Sequence, residues 1–165
     1  MRFLVTGGSG FVGSYLIEKL NYMKHHVISL DCVAPNDFNP EIEIITSDLN
    51  NVDILKKIGK KIDGIFHCAG IVGSTETFSF IEKTFQTNVL GTLNLLKIAK
   101  EFNIPMINLS LKNDSMNPYM ISKRTSTEIC QSFYKYLNTK VCTINGLNGY
   151  GPKQLLQPTP KMVPS

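Results

Sequence analysis

The stretch Thr6-Gly-Gly-Ser-Gly-Phe-Val-Gly13 joins an apolar run at residues 3–6 to an amphipathic segment that begins at residue 11. Three of its glycines recur at every third position, where a strand would turn directly into a helix. Glycine there permits a tight turn, backbone approach to a pyrophosphate, and close packing of helix on strand. The stretch therefore predicts a dinucleotide-binding turn, and a loop that is rich in glycine by chance is the alternative. The candidate contacts are Gly7, Gly10, Phe11, Val12 and Gly13.

Asp31 ends the second predicted strand, about 20 residues beyond the glycines. A carboxylate at this position can accept hydrogen bonds from both hydroxyls of an adenine ribose. It would repel a phosphate on the 2′ oxygen, and the two arginines of the sequence, Arg2 and Arg124, stand far along the chain from it. Asp31 thus predicts NAD as the cofactor in preference to NADP. The alternative is an aspartate that only ends a strand.

Short β-rich runs alternate with segments of helical period along the whole chain. The predicted strands are residues 3–6, 27–31, 43–46, 64–67, 106–110 and 141–147, and the predicted helices are residues 11–23, 53–60, 80–102 and 119–137. This alternation predicts an α/β Rossmann domain, a doubly wound parallel sheet of about six strands in the order 3-2-1-4-5-6. The domain is expected to span residues 1–152, and residues 153–165 to form a proline-rich tail.

The composition is that of a soluble globular chain of 165 residues, with 42% hydrophobic and 18% charged residues and no long apolar run. Neither a membrane span nor disorder is expected. The net charge of +4 comes from lysines scattered along the chain, so nucleic acid is an unfavoured partner. The four cysteines lack a C-x-x-C pair, and Cys68 and Cys142 lie in apolar runs where thiols pack as small hydrophobes. These features favour a reducing, cytoplasmic location.

Further motifs follow the glycine turn and Asp31 in a definite order. They are Ser47-Asp-Leu49, His67-Cys-Ala-Gly70, Thr87-Asn-Val-Leu-Gly-Thr-Leu-Asn-Leu-Leu96, Tyr119-Met-Ile-Ser-Lys123 and Asn148-Gly-Tyr-Gly-Pro152. In kind and order they resemble the motifs of the extended short-chain dehydrogenase/reductases, the group of nucleotide-sugar epimerases and dehydratases. The resemblance runs from residue 2 to about residue 154.

The resemblance implies an NAD-dependent enzyme acting on a nucleotide-linked sugar, and it assigns roles to individual residues. Asp48 and Leu49 would lie against the adenine, and Ala69 and Gly70 would line the dinucleotide beyond the fourth strand. It also implies that Asn88 steadies the central helix near the active site. His67, which has no second ligand at metal spacing, is expected to be a packed residue at a strand end, and no metal is predicted.

Tyr119 and Lys123 are the candidate acid/base pair. A tyrosine followed four positions later by a lysine is a weak signal by itself. With six Tyr and 15 Lys in the chain, roughly 0.5 such pairs are expected by chance, and two further pairs have the same spacing. Position distinguishes Tyr119 and Lys123, because they open the helix after the fifth strand, at the carboxyl edge where such sheets bind ligands. The Tyr119 phenol would move a hydroxyl proton while a hydride is exchanged, with its pKa lowered by the Lys123 ammonium and the nicotinamide charge. The resemblance implies that Lys123 also holds the nicotinamide ribose. An ordinary amphipathic helix start is the alternative.

The sequence departs from the family at the third catalytic group, a Ser or Thr just past the fifth strand. Alignment places Leu111 at that position and Ser110 beside it, so Ser110 or Ser115 would have to substitute. The loop to Tyr119 is short, and the lobe that grips the sugar nucleotide is expected to be absent. The alternatives that remain open are an epimerase or dehydratase, a dinucleotide-binding module with degraded or no catalysis, and a truncated fragment of such an enzyme. A homodimer through the helices at residues 80–102 and 119–137 is also expected.

Overall fold

The computed structural model describes residues 1–35, 39–111, 114–146 and 149–152, and its centre is a six-stranded sheet. The strands are β1 (Arg2–Thr6), β2 (His26–Asp31), β3 (Glu43–Thr46), β4 (Gly64–His67), β5 (Met106–Leu111) and β6 (Val141–Gly146). They stand in the order β3-β2-β1-β4-β5-β6, and every neighbouring pair is parallel. The predicted doubly wound Rossmann sheet is confirmed, including its strand order.

The helices follow the strands as the alternation predicted, with boundaries shifted by a residue or two. They are α1 (Phe11–Tyr22), α2 (Val52–Gly59), α3 (Ile81–Phe85), α4 (Gly91–Glu101) and α5 (Pro118–Leu137). A 3₁₀ turn over Glu76–Phe80 leads into α3, and a π-helical turn over Gln86–Leu90 joins α3 to α4. The single helix predicted at residues 80–102 is therefore one helix with a π turn inside it.

Two apolar cores lie on opposite faces of the sheet. The larger core includes Leu4, Leu30 and Ile65 from the sheet, with Leu55 of α2 and Leu96 of α4 packed above them. The smaller core packs α1 against the other face of β1 to β3. A parallel sheet carries apolar residues on both faces, so both need a cover of helices. Among the described residues, no helix combines the length and the hydrophobicity that a membrane span requires.

Edge strand β6 corrects one expectation of the sequence. Cys142 is exposed and does not pack as a small hydrophobe, and Ile144 on the same face is 48% exposed. The apolar run suggested burial, but alternate side chains of a strand point to opposite faces, and this face of β6 is open in the described part of the chain. Leu147, Asn148 and the tail at residues 153–165 lie outside the described residues.

Candidate functional site

The glycine turn after β1 has the tight geometry that its sequence predicts. Gly7 has φ +71°, its N–H donates to the Leu30 carbonyl at 2.9 Å, and a Cβ there would lie 2.6 Å from Ala69 Cα. A Cβ at Gly13 would lie 2.1 Å from the Gly7 oxygen. Gly10 caps α1 in an extended conformation, and no side-chain hydrogen bond caps this end of the helix among the described residues. The first N–H groups of α1 therefore stay open to an anion.

Asp31 ends β2 and is hydrogen-bonded to the glycine turn. Its Oδ2 accepts the Ser9 N–H at 3.0 Å and its Oδ1 accepts the Val33 N–H at 3.2 Å. The Ser9 hydroxyl donates to the Val33 carbonyl at 2.7 Å, which closes the loop around the carboxylate. The carboxylate is thus fixed at the carboxyl end of β2, half-buried and beside the turn.

Asp48 and Leu49 differ in what they offer to a ligand. The exposed Asp48 carboxylate accepts the Asn50 N–H at 2.7 Å and the Asn50 side-chain amide at 2.8 Å. Leu49 is buried, and it packs so closely under α4 that a Cβ at Gly91 would lie 2.9 Å from its Cδ1. Of the two, only Asp48 is exposed.

His67 is a packed residue at the end of β4, with 1% of its surface exposed. Its Nδ1 lies 2.7 Å from the Thr6 hydroxyl and its Nε2 lies 2.9 Å from the Thr92 hydroxyl. Burial, and secondarily the charge of Lys123, lowers the pKa of His67 to about 3. Because both ring nitrogens are engaged and the ring is neutral, His67 serves neither as a metal ligand nor as a general base here.

Asn88 stands in the π turn and ties two elements together. Its Oδ1 accepts the Ile71 N–H at 2.8 Å, and its Nδ2 donates to the Ile71 carbonyl and to the Ser122 hydroxyl, each at 2.9 Å. The loop after β4 and helix α5 are thereby held to the same side chain. A Cβ at Gly70 would lie 3.1 Å from Asn88 Oδ1 and 3.9 Å from Lys123 Nζ, so these predicted residues converge.

Lys123 and Tyr119 both lie at this edge of the sheet, but the pKa of Tyr119 is not lowered as the sequence predicted. Lys123 is 8% exposed, and its Nζ donates to the Leu109 carbonyl at 2.6 Å. Burial lowers the pKa of Lys123 to about 8 and raises the pKa of Tyr119 to about 12. From the sequence, Lys123 was expected to lower the pKa of Tyr119. In the chain by itself the pKa of Tyr119 is instead raised by burial.

Ser110 is directed away from the open edge of the site. Its hydroxyl lies 2.8 Å from the Thr127 hydroxyl and donates to the Lys123 carbonyl at 3.4 Å, with 1% of the residue exposed. Thr127 stands about two turns of α5 beyond Tyr119. The structure therefore places Ser110 as a link between β5 and α5 and does not bring it to Tyr119. Leu111 ends β5 opposite Gly146, with its side chain half-buried.

Sequence reasoning missed four residues that hold the site together. They are Thr6, Ser9, Thr92 and Ser122, each bonded to a predicted site residue or to His67. Spacing carried a signal for two of them: Thr92 follows Asn88 by one helical turn, and Thr6 directly precedes the glycines. Their partners come from distant strands, which spacing alone does not reveal.

The chain matches known proteins over most of its length. The sequence profile of the NAD dependent epimerase/dehydratase family matches residues 3–164. UDP-glucuronic acid decarboxylase 4 of Arabidopsis thaliana is 28% identical over 184 residues, covering 94% of this chain and 41% of that protein. A 3 beta-hydroxysteroid dehydrogenase/Delta 5→4-isomerase of Mycobacterium tuberculosis is 39% identical over 101 residues, covering 58% of this chain and 27% of that protein.

The fold is also found among solved structures. A double mutant of DesIV, the dTDP-glucose 4,6-dehydratase of Streptomyces venezuelae, crystallised with NAD, superposes with a TM-score of 0.84 at 26% identity. The match covers 93% of this chain and 58% of that one, so this chain spans less than two thirds of the length of each of these relatives. The family is NAD-dependent, which confirms the predicted cofactor at the level of the family. With its profile matched over nearly the whole sequence, this chain belongs to the NAD dependent epimerase/dehydratase family.

Proposed function

We propose that the chain binds NAD along the carboxyl edge of its sheet and belongs to an enzyme that epimerises or dehydrates a nucleotide-linked sugar. The convergence of the predicted residues supports the proposal. The glycine turn ends β1, Asp31 ends β2, and Gly70 lies beside Asn88 and Lys123. Ligands of doubly wound sheets bind at this edge, beside the switch point between the two central strands.

The residues present fit a dinucleotide. The glycine turn has no room for a Cβ at Gly7 or Gly13, and the open N–H groups of α1 suit a pyrophosphate. Asp31 keeps outward lone pairs for the hydroxyls of a ribose while backbone N–H groups orient it. Lys123, a buried cation with one acceptor among the described residues, can donate to the second ribose. NAD, when bound, supplies the hydride acceptor for a sugar carbon.

Tyr119 is proposed to hold and return the proton of the sugar hydroxyl. Its pKa of about 12 in the chain means that the phenol is protonated at neutral pH. A proton acceptor that works near neutral pH needs a pKa near that pH, which requires added positive charge beside the phenol. Lys123 carries such charge below pH 8, since its pKa lies at about 8. We therefore expect the phenol to become acidic only in the complex.

A dinucleotide-binding module with degraded catalysis is the second candidate. Ser110 bonds Thr127 on α5, and Leu111 has no hydroxyl to offer a substrate. Substituting Leu111→Ser restores a hydroxyl at the position where the family carries one. A gain of turnover would favour an enzyme that has lost part of its site, and an unchanged absence of turnover would favour the module.

Calorimetric titration of the chain with NAD and with NADP tests the proposal first. We expect tighter binding of NAD, and a loss of about tenfold or more in Asp31→Asn, because hydrogen bonds to a charged acceptor are worth about 1.5–3 kcal/mol. Asp63→Asn is the matched control, since Asp63 precedes β4 at the opposite edge of the sheet and bonds the Arg2 N–H. Parent protein that binds neither dinucleotide would refute the proposal.

The chemical part is tested separately with the NAD-bound chain and a panel of uridine- and thymidine-diphosphate sugars. Tyr119→Phe keeps the ring and removes the phenol hydroxyl, so it should abolish turnover while it leaves NAD affinity nearly unchanged. Turnover equal to that of the parent would remove Tyr119 from the acid/base role and leave NAD binding intact.

A homodimer is proposed through the helical layer that the sequence indicated. A groove on α3 and the π turn is lined by Glu82, Phe85, Gln86, Val89 and Leu90. Leu90 is 47% exposed there, and Tyr134 of α5 is 66% exposed. Apolar side chains on neighbouring helices suit self-complementary packing about a two-fold axis.

A further inference from the structure

Three buried side chains form a continuous bridge beneath the candidate site. Thr6 ends β1, His67 ends β4 and Thr92 lies in the first turn of α4; together we call them the threonine–histidine bridge. Their exposed fractions are 0%, 1% and 1%. The bridge crosses from the strand that leads into the glycine turn to the helix that follows Asn88.

The directions of the hydrogen bonds fix the state of the imidazole. The Thr92 hydroxyl donates to the Asn88 carbonyl at 2.6 Å, so its oxygen must accept from the Nε2–H of His67. Nδ1 is then unprotonated and accepts from the Thr6 hydroxyl at 2.7 Å. Burial, which lowers the pKa of His67 to about 3, agrees with a neutral ring. One tautomer therefore satisfies every group in the bridge.

Each end of the threonine–histidine bridge adjoins a part of the candidate site: the glycine turn at Thr6 and Asn88 at Thr92. Thr6 directly precedes Gly7, and its hydroxyl also accepts the Ala69 N–H at 3.4 Å. At the other end the Asn88 side chain holds the loop at Ile71 and the Ser122 hydroxyl. The glycine turn and the end of the site near Lys123 thus connect through His67.

We propose that His67 is a positioning residue that sets the glycine turn at a fixed distance from Asn88, and so couples the two ends of the dinucleotide site. The inference rests on the proposed NAD binding and goes beyond it. Within a buried network each bond limits the movement of the next, and a missing partner leaves an unsatisfied polar group. Removing one bond at the Thr92 end should therefore disturb the nicotinamide half of the site more than the adenosine half.

Thr92→Val tests this coupling, because valine matches the shape of threonine and lacks the hydroxyl. Titration calorimetry would compare NAD, which spans both ends, with ADP, which reaches only the glycine turn and Asp31. We expect Thr92→Val to weaken NAD binding by about tenfold and ADP binding by less than about twofold. Thr92→Ser, which keeps the hydroxyl, is the matched control and should bind both ligands as the parent does.

The outcomes separate this proposal from the proposed function. Equal weakening of NAD and ADP in Thr92→Val, together with a lower melting temperature, would mean a structural role only and would overturn the coupling. Unchanged binding of both would overturn it too. A parent that binds neither ligand refutes the proposed function and the coupling that rests on it.

The tautomer has its own test, which needs no ligand. Nitrogen-15 NMR of the imidazole rings at neutral pH should show His67 neutral, with its proton on Nε2. A proton on Nδ1, or a doubly protonated ring, would contradict the bridge as described.

Discussion

Lys123 shows how strongly a residue's surroundings change its chemistry. A lysine ammonium ordinarily has a pKa near 10.5, and burial in this chain lowers it to about 8. Desolvation disfavours the charged form, and the one described acceptor, the Leu109 carbonyl, replaces only part of the lost hydration. Charged Lys123 is therefore destabilising for the fold while it is useful for binding a ribose or an acidic phenol.

Because burial lowers the pKa of Lys123, the free energy of unfolding should depend on pH. Below pH 8 the lysine is charged in both the folded and the unfolded chain, so the burial penalty is fully present. Between pH 8 and 10.5 only the unfolded chain keeps the proton, so the free energy of unfolding rises with pH. The slope contributed by this one group is at most about 1.4 kcal/mol per pH unit. Urea unfolding at successive pH values measures it.

The window between pH 8 and 9 is the decisive one. Burial raises the pKa of Cys68 and of Cys130 from 9.0 to about 11, so above pH 9 these thiols contribute a slope of opposite sign. Lys123→Met should lose the rise between pH 8 and 9, whereas Lys97→Met, at an exposed position of α4, should keep it. A parent whose stability is flat over that window would contradict the lowered pKa.

For single residues, the sequence predicted the positions of the candidate site residues better than their burial and their hydrogen-bond partners. Gly7, Gly13 and Asp31 were found from spacing, because their roles depend on the backbone of one turn and one strand end. The Tyr119 pKa and the direction of the Ser110 hydroxyl depend on burial and on partners from other elements. A short sequence motif therefore predicts neither the pKa of Tyr119 nor the hydrogen-bond partner of Ser110.

The residues that follow α1 and α2 differ in backbone conformation, and this difference affects how favourably each helix is terminated. Two residues beyond the end of α1, Lys24 has φ +63°, and the turn is closed by hydrogen bonds from the Lys24 N–H to the Asn21 carbonyl and from the His25 N–H to the Leu20 carbonyl. That left-handed conformation favours glycine and is strained for a lysine. Helix α2 instead ends at Lys60 in an ordinary right-handed conformation, φ −65°.

These two exposed lysines make a matched pair for an element-scale prediction. Lys24→Gly should raise the free energy of unfolding by about 0.5–1 kcal/mol, because relief of the strain exceeds the entropy that glycine adds to the unfolded chain. Lys60→Gly, at a right-handed position, should lower it by a similar amount. Thermal and urea unfolding of both variants would check the signs, and a loss of stability in Lys24→Gly would contradict the strain argument.

The π turn is the element that periodicity failed to find. Residues 80–102 carry a helical period throughout, so a single helix was predicted there. A π turn adds one residue without breaking that period visibly, and it turns Asn88 toward Ile71 and Ser122. Those tertiary bonds accompany the π turn and join it to the loop after β4 and to α5, which periodicity along one segment does not reveal.

At the scale of the whole molecule the proposed dimer gives a direct test. Leu90→Lys places a charge in the groove on α3 and the π turn, and burying that charge in an interface would be costly. We expect light scattering to show a dimer for the parent and a monomer for Leu90→Lys at the same concentration. Tyr22→Lys is the control: it also introduces a lysine for an exposed apolar side chain, but on α1, and this variant should stay dimeric. A monomeric parent at high concentration would contradict the dimer.

The strand order has a consequence for how the chain folds. Within β1 to β3, and again within β4 to β6, each strand pairs with its neighbour in sequence. The longest connection inside either half, residues 68–105, is shorter than residues 7–63, which separate β1 from β4. Within the sheet, the two halves meet where β1 pairs with β4, and there Thr6 and His67, which bond across the seam, stand 61 positions apart. We therefore expect the seam to close after the strand pairs within each half, and the glycine turn and Gly70 lie on its two sides. A dinucleotide site on this seam exists only after both halves have docked, so a bound dinucleotide would select chains that have completed folding.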